Sequence, residues 1–220
     1  MEIMPGLHQI TVGRTGPNPV NAYLALGAEP LLVDTGMPGQ AEGIARYVES
    51  LGLEPTALRH IVLTHHDLDH IGSALELRQV TGARIHAHRL DAPCVAGQEP
   101  RRPWSKRITA SLLGKVAFAV DELLEGEEEI AGWQVIHTPG HSMGSISLYR
   151  PPALIVGDLL LTGKDRCREM WRITMQDAQL ARASIRKLAE LEVDVLLCGH
   201  GQPLFGARPK LQALVSSWAA

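Results

Sequence analysis

Residues 64–72 hold the densest group of side chains in this chain that could bind a metal ion. Five such residues fall within six consecutive positions: His65, His66, Asp67, Asp69 and His70. Neutral imidazole nitrogen and carboxylate oxygen are suitable ligands for Zn, Fe or Mn. A solvated polar turn in which Asp67 or Asp69 caps a helix is the alternative interpretation. Because such turns rarely use three histidines, we interpret the segment as a metal site.

Aspartate or histidine also follows four other apolar runs that have the composition of β-strands. These residues are Asp34 in LLVDTG, His141 in WQVIHTPGHS, Asp158 in IVGD and His200 in VLLCGHG. Glycine lies next to or near most of them, and it lets the backbone bend sharply and approach a ligand closely. Loops that follow strands are where catalytic groups usually lie. The five motifs together therefore predict one metal-dependent site.

The order of these motifs resembles that of the metallo-β-lactamase-fold hydrolase superfamily. That family carries an early Asp motif, a T-H-x-H-x-D-H-x-G motif, a single His, a single Asp and a final G-H. Here the corresponding residues are Asp34, residues 65–72, His141, Asp158 and His200, so the resemblance covers most of the chain. It implies an α/β fold, a four-layer αββα sandwich, with a dinuclear metal site at the edge between two sheets.

The resemblance also implies a role for each matching residue. Seven of them would be metal ligands: His65, Asp67 and His141 for one metal, Asp69, His70 and His200 for the other, and Asp158 as a bridge. Asp34 would orient a ligand imidazole by accepting its free N–H. A water between the metals would lose a proton and attack a carbonyl or phosphoryl centre. Asp69 could also carry a proton to the leaving group.

Asp67 stands where the family usually has its second histidine. His66 is adjacent, but the spacing back from Asp69 and His70 assigns the ligand position to Asp67. We expect two divalent metal ions, with Zn first and Fe or Mn as alternatives. The alternatives follow from Asp67, because a third carboxylate gives a harder, oxygen-rich set of ligands.

Composition agrees with one globular enzyme domain over residues 1–220, with 45% hydrophobic and 20% charged residues. The net charge of −3 gives no reason to expect binding to nucleic acid or to a membrane surface. No apolar run approaches the length of a membrane-spanning helix, and no signal peptide is evident. Three widely spaced cysteines suggest a reducing compartment. We therefore expect a cytoplasmic protein, in which Cys198 is an inward strand residue rather than a ligand.

The hydrophobic pattern predicts alternating strands and helices. Strands are predicted at residues 9–12, 22–26, 30–33, 61–63, 83–87, 130–137, 145–149, 153–156 and 193–197. Helices are predicted at residues 39–51, 73–80, 177–191 and 209–218, with Asp177 capping the third of them. Pro151 and Pro152 would lie near the turn of a hairpin.

Residues 89–121 fit this alternation least well and contain the basic cluster RRPWSKR. Because they lie between the second and third metal motifs, we expect a lid in which Arg101, Arg102 and Trp104 contact the substrate. A solvated basic loop or an oligomer contact is the alternative. Trp171, in a second irregular stretch at 164–175, could line the pocket or pack in the core.

The sequence favours a hydrolase of a small ester, lactone, thioester or related substrate, anionic in view of the basic cluster. Only 20 residues follow His200, fewer than the long helical tail of the family's glutathione-thioester hydrolases. A phosphodiesterase or a di-iron redox enzyme of the same fold is the alternative, since flavodiiron proteins also have a carboxylate, Glu, at the position of Asp67. A homodimer is compatible with the sequence.

Overall fold

Two β-sheets lie face to face in the computed structural model, which describes residues 1–12, 19–103 and 116–218. Apolar side chains fill the space between the sheets, and helices cover the outer face of each sheet. This order of layers confirms the αββα sandwich that the resemblance implies.

Seven strands form the first sheet within the described residues, and their spatial order follows the chain. They are β1 (Glu2–Met4), β2 (Leu7–Val12), β3 (Val20–Ala25), β4 (Leu31–Val33), β5 (His60–Leu63), β6 (Arg84–His88) and β7 (Glu122–Leu124). Strands β1 to β4 pair antiparallel, whereas β4 to β7 pair parallel. Parallel pairing aligns the carboxyl ends of β4 to β7 at one edge of the sheet.

Eight further strands follow: β8 (Glu129–Ile130), β9 (Trp133–His137), β10 (Ile146–Arg150), β11 (Ala153–Ile155), β12 (Leu160–Thr162), β13 (Cys167–Glu169), β14 (Val195–Leu197) and β15 (Leu204–Phe205). Over the described ranges, six of them form the second sheet in the order β15-β14-β11-β10-β9-β8, and β12 pairs with β13. Strands β11 and β14 are parallel, with Ile155 opposite Leu197. Their carboxyl ends therefore also lie at one edge.

Six α-helices lie within the described part of the chain: α1 (Ala41–Ser50), α2 (Leu68–Ile71), α3 (Ala74–Thr81), α4 (Ala92–Val95), α5 (Ala178–Leu188) and α6 (Ala207–Ser216). Short 3₁₀ turns occur at Pro55–Ala57, Gly157–Leu159 and Arg172–Thr174. Among the described residues, no helix has both the length and the apolar character needed to cross a membrane.

Successive side chains of β5 belong to different apolar clusters on the two faces of the first sheet. Ile61 and Leu63 belong to the apolar cluster that includes Ile44 of α1 and Leu77 of α3, whereas Val62 belongs to the cluster between the sheets. Successive side chains of a strand point to opposite faces, so one short apolar run serves both cores. Burying a side chain of this size stabilises the fold by about 1.5–3 kcal/mol.

Helix α5 confirms the helical period of residues 177–191, although it ends at Leu188. Asp177 caps it as predicted: its carboxylate accepts hydrogen bonds from the backbone N–H of Gln179 at 2.8 Å and of Leu180 at 3.0 Å. Such a cap stabilises a helix by about 1 kcal/mol.

The prediction of one strand over residues 130–137 is wrong. These residues form a hairpin in which β8 ends at Ile130 and β9 begins at Trp133. Ala131 and Gly132 make the turn, and both have positive φ, 51° and 79°. This conformation is typical of the type I′ turns that suit two-residue hairpins. Because alanine rarely adopts positive φ, the apolar run concealed the turn.

Several short elements were also not predicted, namely β1, β7, β12, β15, α2 and α4. Each is two to four residues long, too short for a hydrophobic period to be recognised. Residues 164–175, which we expected to be irregular, contain β13 and a 3₁₀ turn.

Replacing Ala131 by asparagine should stabilise the protein, because asparagine tolerates positive φ better and Asn-Gly is a preferred type I′ turn. We expect the free energy of unfolding, measured by urea denaturation, to rise by about 0.5–1 kcal/mol. The matched control is Ala131→Val, which places a β-branched residue at positive φ and should lower it. A lower value for Ala131→Asn would contradict the prediction.

Candidate metal centre

The seven candidate ligands lie at the edge where strands of both sheets end. In chain order they are His65 and Asp67 in the loop after β5, Asp69 and His70 in α2, His141 in the loop before β10, Asp158 in the turn after β11, and His200 after β14. The first four come from the first sheet and the last three from the second, so the site exists only where the two sheets meet.

Six of these side chains, all but that of Asp67, form two groups, and Asp158 faces both. Within each group the nearest ligand atoms all lie within 4.8 Å of one another: His65, His141 and Asp158 in the first, and Asp69, His70 and His200 in the second. Oδ1 of Asp158 lies 3.3 Å from His70 Nε2. Oδ2 lies 3.4 Å from His200 Nε2 and 3.9 Å from His141 Nε2. Each group could hold a metal ion, with one carboxylate between them.

Asp34 contacts the back of the His70 ring. Its Oδ2 atom accepts a hydrogen bond from His70 Nδ1 at 2.8 Å, and its Oδ1 atom accepts one from the backbone N–H of Thr64 at 2.8 Å. The backbone of Asp34 is left-handed, with φ of 59°. This conformation costs a residue other than glycine on the order of 1–3 kcal/mol and is found mainly at functional sites.

Two more imidazole rings have an acceptor behind them. His65 Nδ1 lies 3.0 Å from the hydroxyl oxygen of Thr64, which donates its own proton to Asp34. His200 Nδ1 lies 3.1 Å from the carbonyl oxygen of Pro19. Because the hydroxyl proton is already used and a carbonyl oxygen only accepts, both Nδ1 atoms donate. In the neutral form of these rings, the Nε2 atoms therefore carry the lone pair that binds a metal.

Three buried polar atoms at the centre of the site make no hydrogen bond among the described residues: His65 Nε2, His70 Nε2 and Asp158 Oδ1, of which the last two lie 3.3 Å apart. Leaving such an atom without a partner costs on the order of 1–3 kcal/mol, and folded proteins almost always avoid it. All three atoms belong to residues that the motifs identify as ligands. Bound cations would satisfy them, so the side chains present fit the predicted metals.

The carboxylates make this edge favourable for positive charge. Burial by itself lowers the pKa of His70, but the carboxylates of Asp158 and Asp34 raise that pKa well above its usual range. Burial also lowers the pKa of His200, and Asp158 raises it, to about 10. Burial raises the pKa of Asp158, whereas His70 and His200 hold it well below its usual range. This charge distribution suits a divalent cation.

Asp67, rather than its neighbour His66, faces the other candidate ligands. Its Oδ2 atom lies 2.9 Å from His141 Nε2 and 3.4 Å from His65 Nε2. The buried His66 ring has its Nε2 atom 3.2 Å from the side-chain nitrogen of Gln176. Of the two residues, Asp67 is therefore the one whose side chain lies beside His65 and His141, and its role as a ligand stays a prediction.

Gly199 makes room where the two groups approach each other. A Cβ atom at this position would collide with Asp158 Oδ1 and with His70 Cε1. Glycine is therefore the residue that lets the strand end from the second sheet lie against the ligands.

Strand β3 of the first sheet holds the loop that carries His200. The backbone N–H of Asn21 donates to the carbonyl oxygen of Gly199 at 2.9 Å, and the Tyr23 hydroxyl donates to that of Cys198 at 2.6 Å. The Cys198 side chain packs in the apolar cluster beneath α5 and α6, which agrees with its interpretation as an inward strand residue.

The sequence pattern of the metallo-beta-lactamase superfamily matches residues 15–200, a stretch that contains every candidate ligand. The chain belongs to this superfamily. Membership confirms the resemblance and, at the level of the superfamily, the prediction of a metal-dependent hydrolase. Together with the two groups of ligand atoms, it implies divalent metal ions.

Relatives in the superfamily cover most of the chain. It is 32% identical over 235 residues to YflN of Bacillus subtilis, a probable metallo-hydrolase, with 93% of this chain and 87% of YflN covered. It is 32% identical over 152 residues to a hydroxyacylglutathione hydrolase of Idiomarina loihiensis, with 69% of this chain and 50% of that protein covered. Its fold is similar to TTHA1623 in a di-iron-bound form, with a TM-score of 0.72, 27% identity and coverage of 91% and 96%.

The basic cluster expected in the lid is described only in part, since Trp104 lies outside the described residues. The guanidinium of Arg101 donates from Nε to the carbonyl oxygen of His66 at 2.9 Å and from Nη2 to that of Val116 at 3.2 Å. Arg102 lines two adjoining cavities of about 550 and 310 Å³, and His66 lines the smaller one. The lid over residues 89–121 and the single-domain boundaries stay predictions.

Trp171 lines neither of these two cavities. Its side chain is 44% exposed, and its ring centre lies 5.9 Å from the guanidinium carbon of Arg168. Asp91 and Gln176, in contrast, line the smaller cavity, although the sequence singled out neither. Both lie in stretches without strand or helix periodicity, and nothing in their spacing distinguishes them from ordinary loop residues.

Gly199→Ala should reduce the metal content of the purified protein, because the added methyl group would push against Asp158 and His70. We expect elemental analysis to find about half of the wild-type metal or less. Gly27→Ala is the matched control, since a Cβ at position 27 meets no atom within 4 Å, and it should keep the wild-type content. Full metal occupancy in folded Gly199→Ala would contradict the prediction.

Proposed function

We propose that this protein is a dinuclear metal-dependent hydrolase that cleaves a small ester, lactone, thioester or related substrate. The observation that carries the proposal is the pair of ligand groups that share Asp158 at a buried edge between the sheets. The similarity to YflN, a probable metallo-hydrolase, supports the reaction class.

Seven side chains would hold the metals. His65, Asp67 and His141 would bind one, Asp69, His70 and His200 would bind the other, and Asp158 would bridge them. When bound, such metals supply Lewis acidity toward a substrate oxygen and activate water as a nucleophile. The hydrogen bonds behind the imidazole rings support this assignment, because they fix both tautomer and orientation.

The remaining steps fall to side chains that hold or move protons. Asp34 fixes His70 directly and His65 through Thr64. Asp69 is the proposed catalytic residue: its side chain is 33% exposed, against 7% for Asp158. It can therefore exchange a proton with both solvent and the leaving group.

Zinc is the metal that we propose first, with iron or manganese as alternatives. Four imidazoles suit zinc, whereas the three carboxylates of Asp67, Asp69 and Asp158 favour harder metals. The di-iron-bound form of TTHA1623 supports the alternative.

The substrate that we propose is an anionic small molecule held in the cavities that Arg102 lines. Arg101 and Arg102 line the larger cavity, and Arg102 is exposed there. A guanidinium can bind a carboxylate or phosphate through two parallel hydrogen bonds. His66, which lies between two proposed ligands in the sequence, lines the adjoining cavity together with Arg102.

A di-iron redox enzyme is the second candidate. A carboxylate at Asp67 and the di-iron-bound relative favour it. It differs from the hydrolase in requiring an electron donor, so the two can be separated by assay.

Protein purified without chelators should contain about two equivalents of Zn, Fe or Mn per chain and hydrolyse members of a panel of small esters, lactones and thioesters. Asp158→Ala should abolish hydrolysis, because it removes the carboxylate between the two groups. The matched control Asp165→Ala changes an exposed aspartate and should keep wild-type turnover.

Two outcomes would contradict this proposal. One is folded wild-type protein that contains almost no metal and shows no hydrolysis. The other is an Asp158→Ala variant with full metal occupancy and wild-type turnover. Reduction of oxygen with an added electron donor, in the absence of any hydrolysis, would favour the redox candidate.

Asp67→His should shift metal preference toward zinc and move the rising limb of the pH–kcat profile to lower pH. A neutral imidazole cancels none of the charge of a bound metal, whereas a carboxylate cancels one unit, so the variant site is the stronger Lewis acid. The two proteins are compared at matched metal content. His66→Asn, which changes the ring turned to Gln176, should keep the wild-type metal preference. An unchanged pH profile in Asp67→His would show that Asp67 does not bind metal.

A further inference from the structure

Asp91 is a buried carboxylate that the proposed chemistry does not use. It is 2% exposed and lies in the segment at 89–121, between β6 and α4. It occupies the N-cap position of α4, yet its side chain makes no capping hydrogen bond to that helix. Aspartate at an N-cap normally accepts hydrogen bonds from the first turn. The Asp91 carboxylate is therefore committed to other partners.

Those partners are two loops of the candidate metal centre. Oδ2 of Asp91 accepts hydrogen bonds from the backbone N–H of His66 at 2.9 Å and from the Ser142 hydroxyl at 2.6 Å. Oδ1 accepts one from the backbone N–H of Gly144 at 2.8 Å. One carboxylate thus joins the loop after β5 to the loop before β10.

Both loops carry ligands of the same proposed metal. His66 lies between His65 and Asp67, and Ser142 follows His141 directly. In the described part of the chain, no hydrogen bond or ion pair given by the structure joins Asp91 to the ligands of the second metal, Asp69, His70 and His200. Asp34 differs from Asp91 in this respect, because it contacts His70 directly and His65 through the Thr64 hydroxyl, and these two histidines are proposed ligands of different metals.

The loop before β10 packs closely against the Asp91 carboxylate. A Cβ atom at Gly144 would lie 2.6 Å from Oδ1 of Asp91, so only glycine lets the loop approach so near. Within the same loop, the Ser145 hydroxyl oxygen accepts a hydrogen bond from the Ser142 N–H at 2.9 Å. The loop that presents His141 is thus ordered around Asp91.

We infer that Asp91 is a positioning residue for one metal only, the one proposed to bind His65, Asp67 and His141. The inference rests on the proposed function. Asp91 sets the separation of the two loops, and with it the separation of the three ligands. Hydrogen bonds of this outer layer typically change metal affinity by about 10- to 100-fold.

Asp91→Asn tests the inference. The amide keeps the size of the carboxylate, but its nitrogen cannot accept the N–H of His66 or of Gly144. In calorimetric titration of metal-free protein with Zn²⁺, we expect one of two sites to weaken by about 10- to 100-fold and the other to keep its affinity. Titration with Co²⁺, followed by visible absorption, should lose the spectrum of one site alone. Adding His200→Ala to Asp91→Asn should then remove the remaining site.

Two further variants separate positioning from general stability. Asp121→Asn changes an aspartate of the same segment that also accepts a backbone N–H, that of Ile85 at 2.9 Å, but pairs with Arg78. Both metal sites should stay unchanged in it. Ser142→Ala removes one hydrogen bond to Asp91 and leaves the carboxylate in place. It should weaken the same site by a smaller factor, and it serves as the test if Asp91→Asn does not fold.

Equal weakening of both sites, or a lower Tm of metal-free Asp91→Asn with unchanged affinities, would overturn the inference and give Asp91 a general structural role. Wild-type protein that binds two metals, with Asp91→Asn identical to it, would overturn the inference alone. Wild-type protein that binds no metal would overturn the proposed function and the inference with it.

Discussion

Repulsion among three neighbouring carboxylates is the constraint on which the site depends. Asp67, Asp69 and Asp158 each have a carboxylate oxygen within 3.4 Å of the Nε2 atom of a candidate histidine ligand: His65, His200 and His70, respectively. Two like charges 4 Å apart repel by roughly 4 kcal/mol at an effective dielectric constant of about 20. The carboxylates raise the pKa of His70 and of His200, and bound metals would compensate their negative charge more fully. Such a cluster keeps its geometry only if groups outside it hold each member in place.

Those outer groups come from both sheets. Asp34 and the carbonyl oxygen of Pro19 accept hydrogen bonds from the rings of His70 and His200. Asp91 accepts hydrogen bonds from the loop that carries His141. The fold accepts local strain for this arrangement, as the left-handed backbone of Asp34 shows. Stability is supplied elsewhere, by the three apolar clusters that fill and flank the sheets. The residues that set the geometry of the site are thus different from the residues that stabilise the fold.

The candidate ligands could be recognised in the sequence because metal binding restricts residue type, and those types stand out at the ends of apolar strands; their role as ligands stays a prediction. Helix α5 and the hairpin of β10 and β11 were predictable for a similar reason, since burial imposes a period and proline marks a turn. The role of Asp91 was not predictable, because a carboxylate that accepts backbone hydrogen bonds needs no particular spacing from other residues in the sequence. The turn at Ala131 was hidden since its residue type opposes its backbone conformation.

The contacts that hold the His200 loop join residues far apart in the chain. Asn21 and Cys198, for example, are separated by 177 positions. Closing a loop of this length costs entropy that grows with the logarithm of its length, and this cost slows the formation of non-local contacts. During synthesis, His200 leaves the ribosome after the other ligands have emerged. The nascent chain therefore has a complete second group of candidate ligands only after His200 has been synthesised.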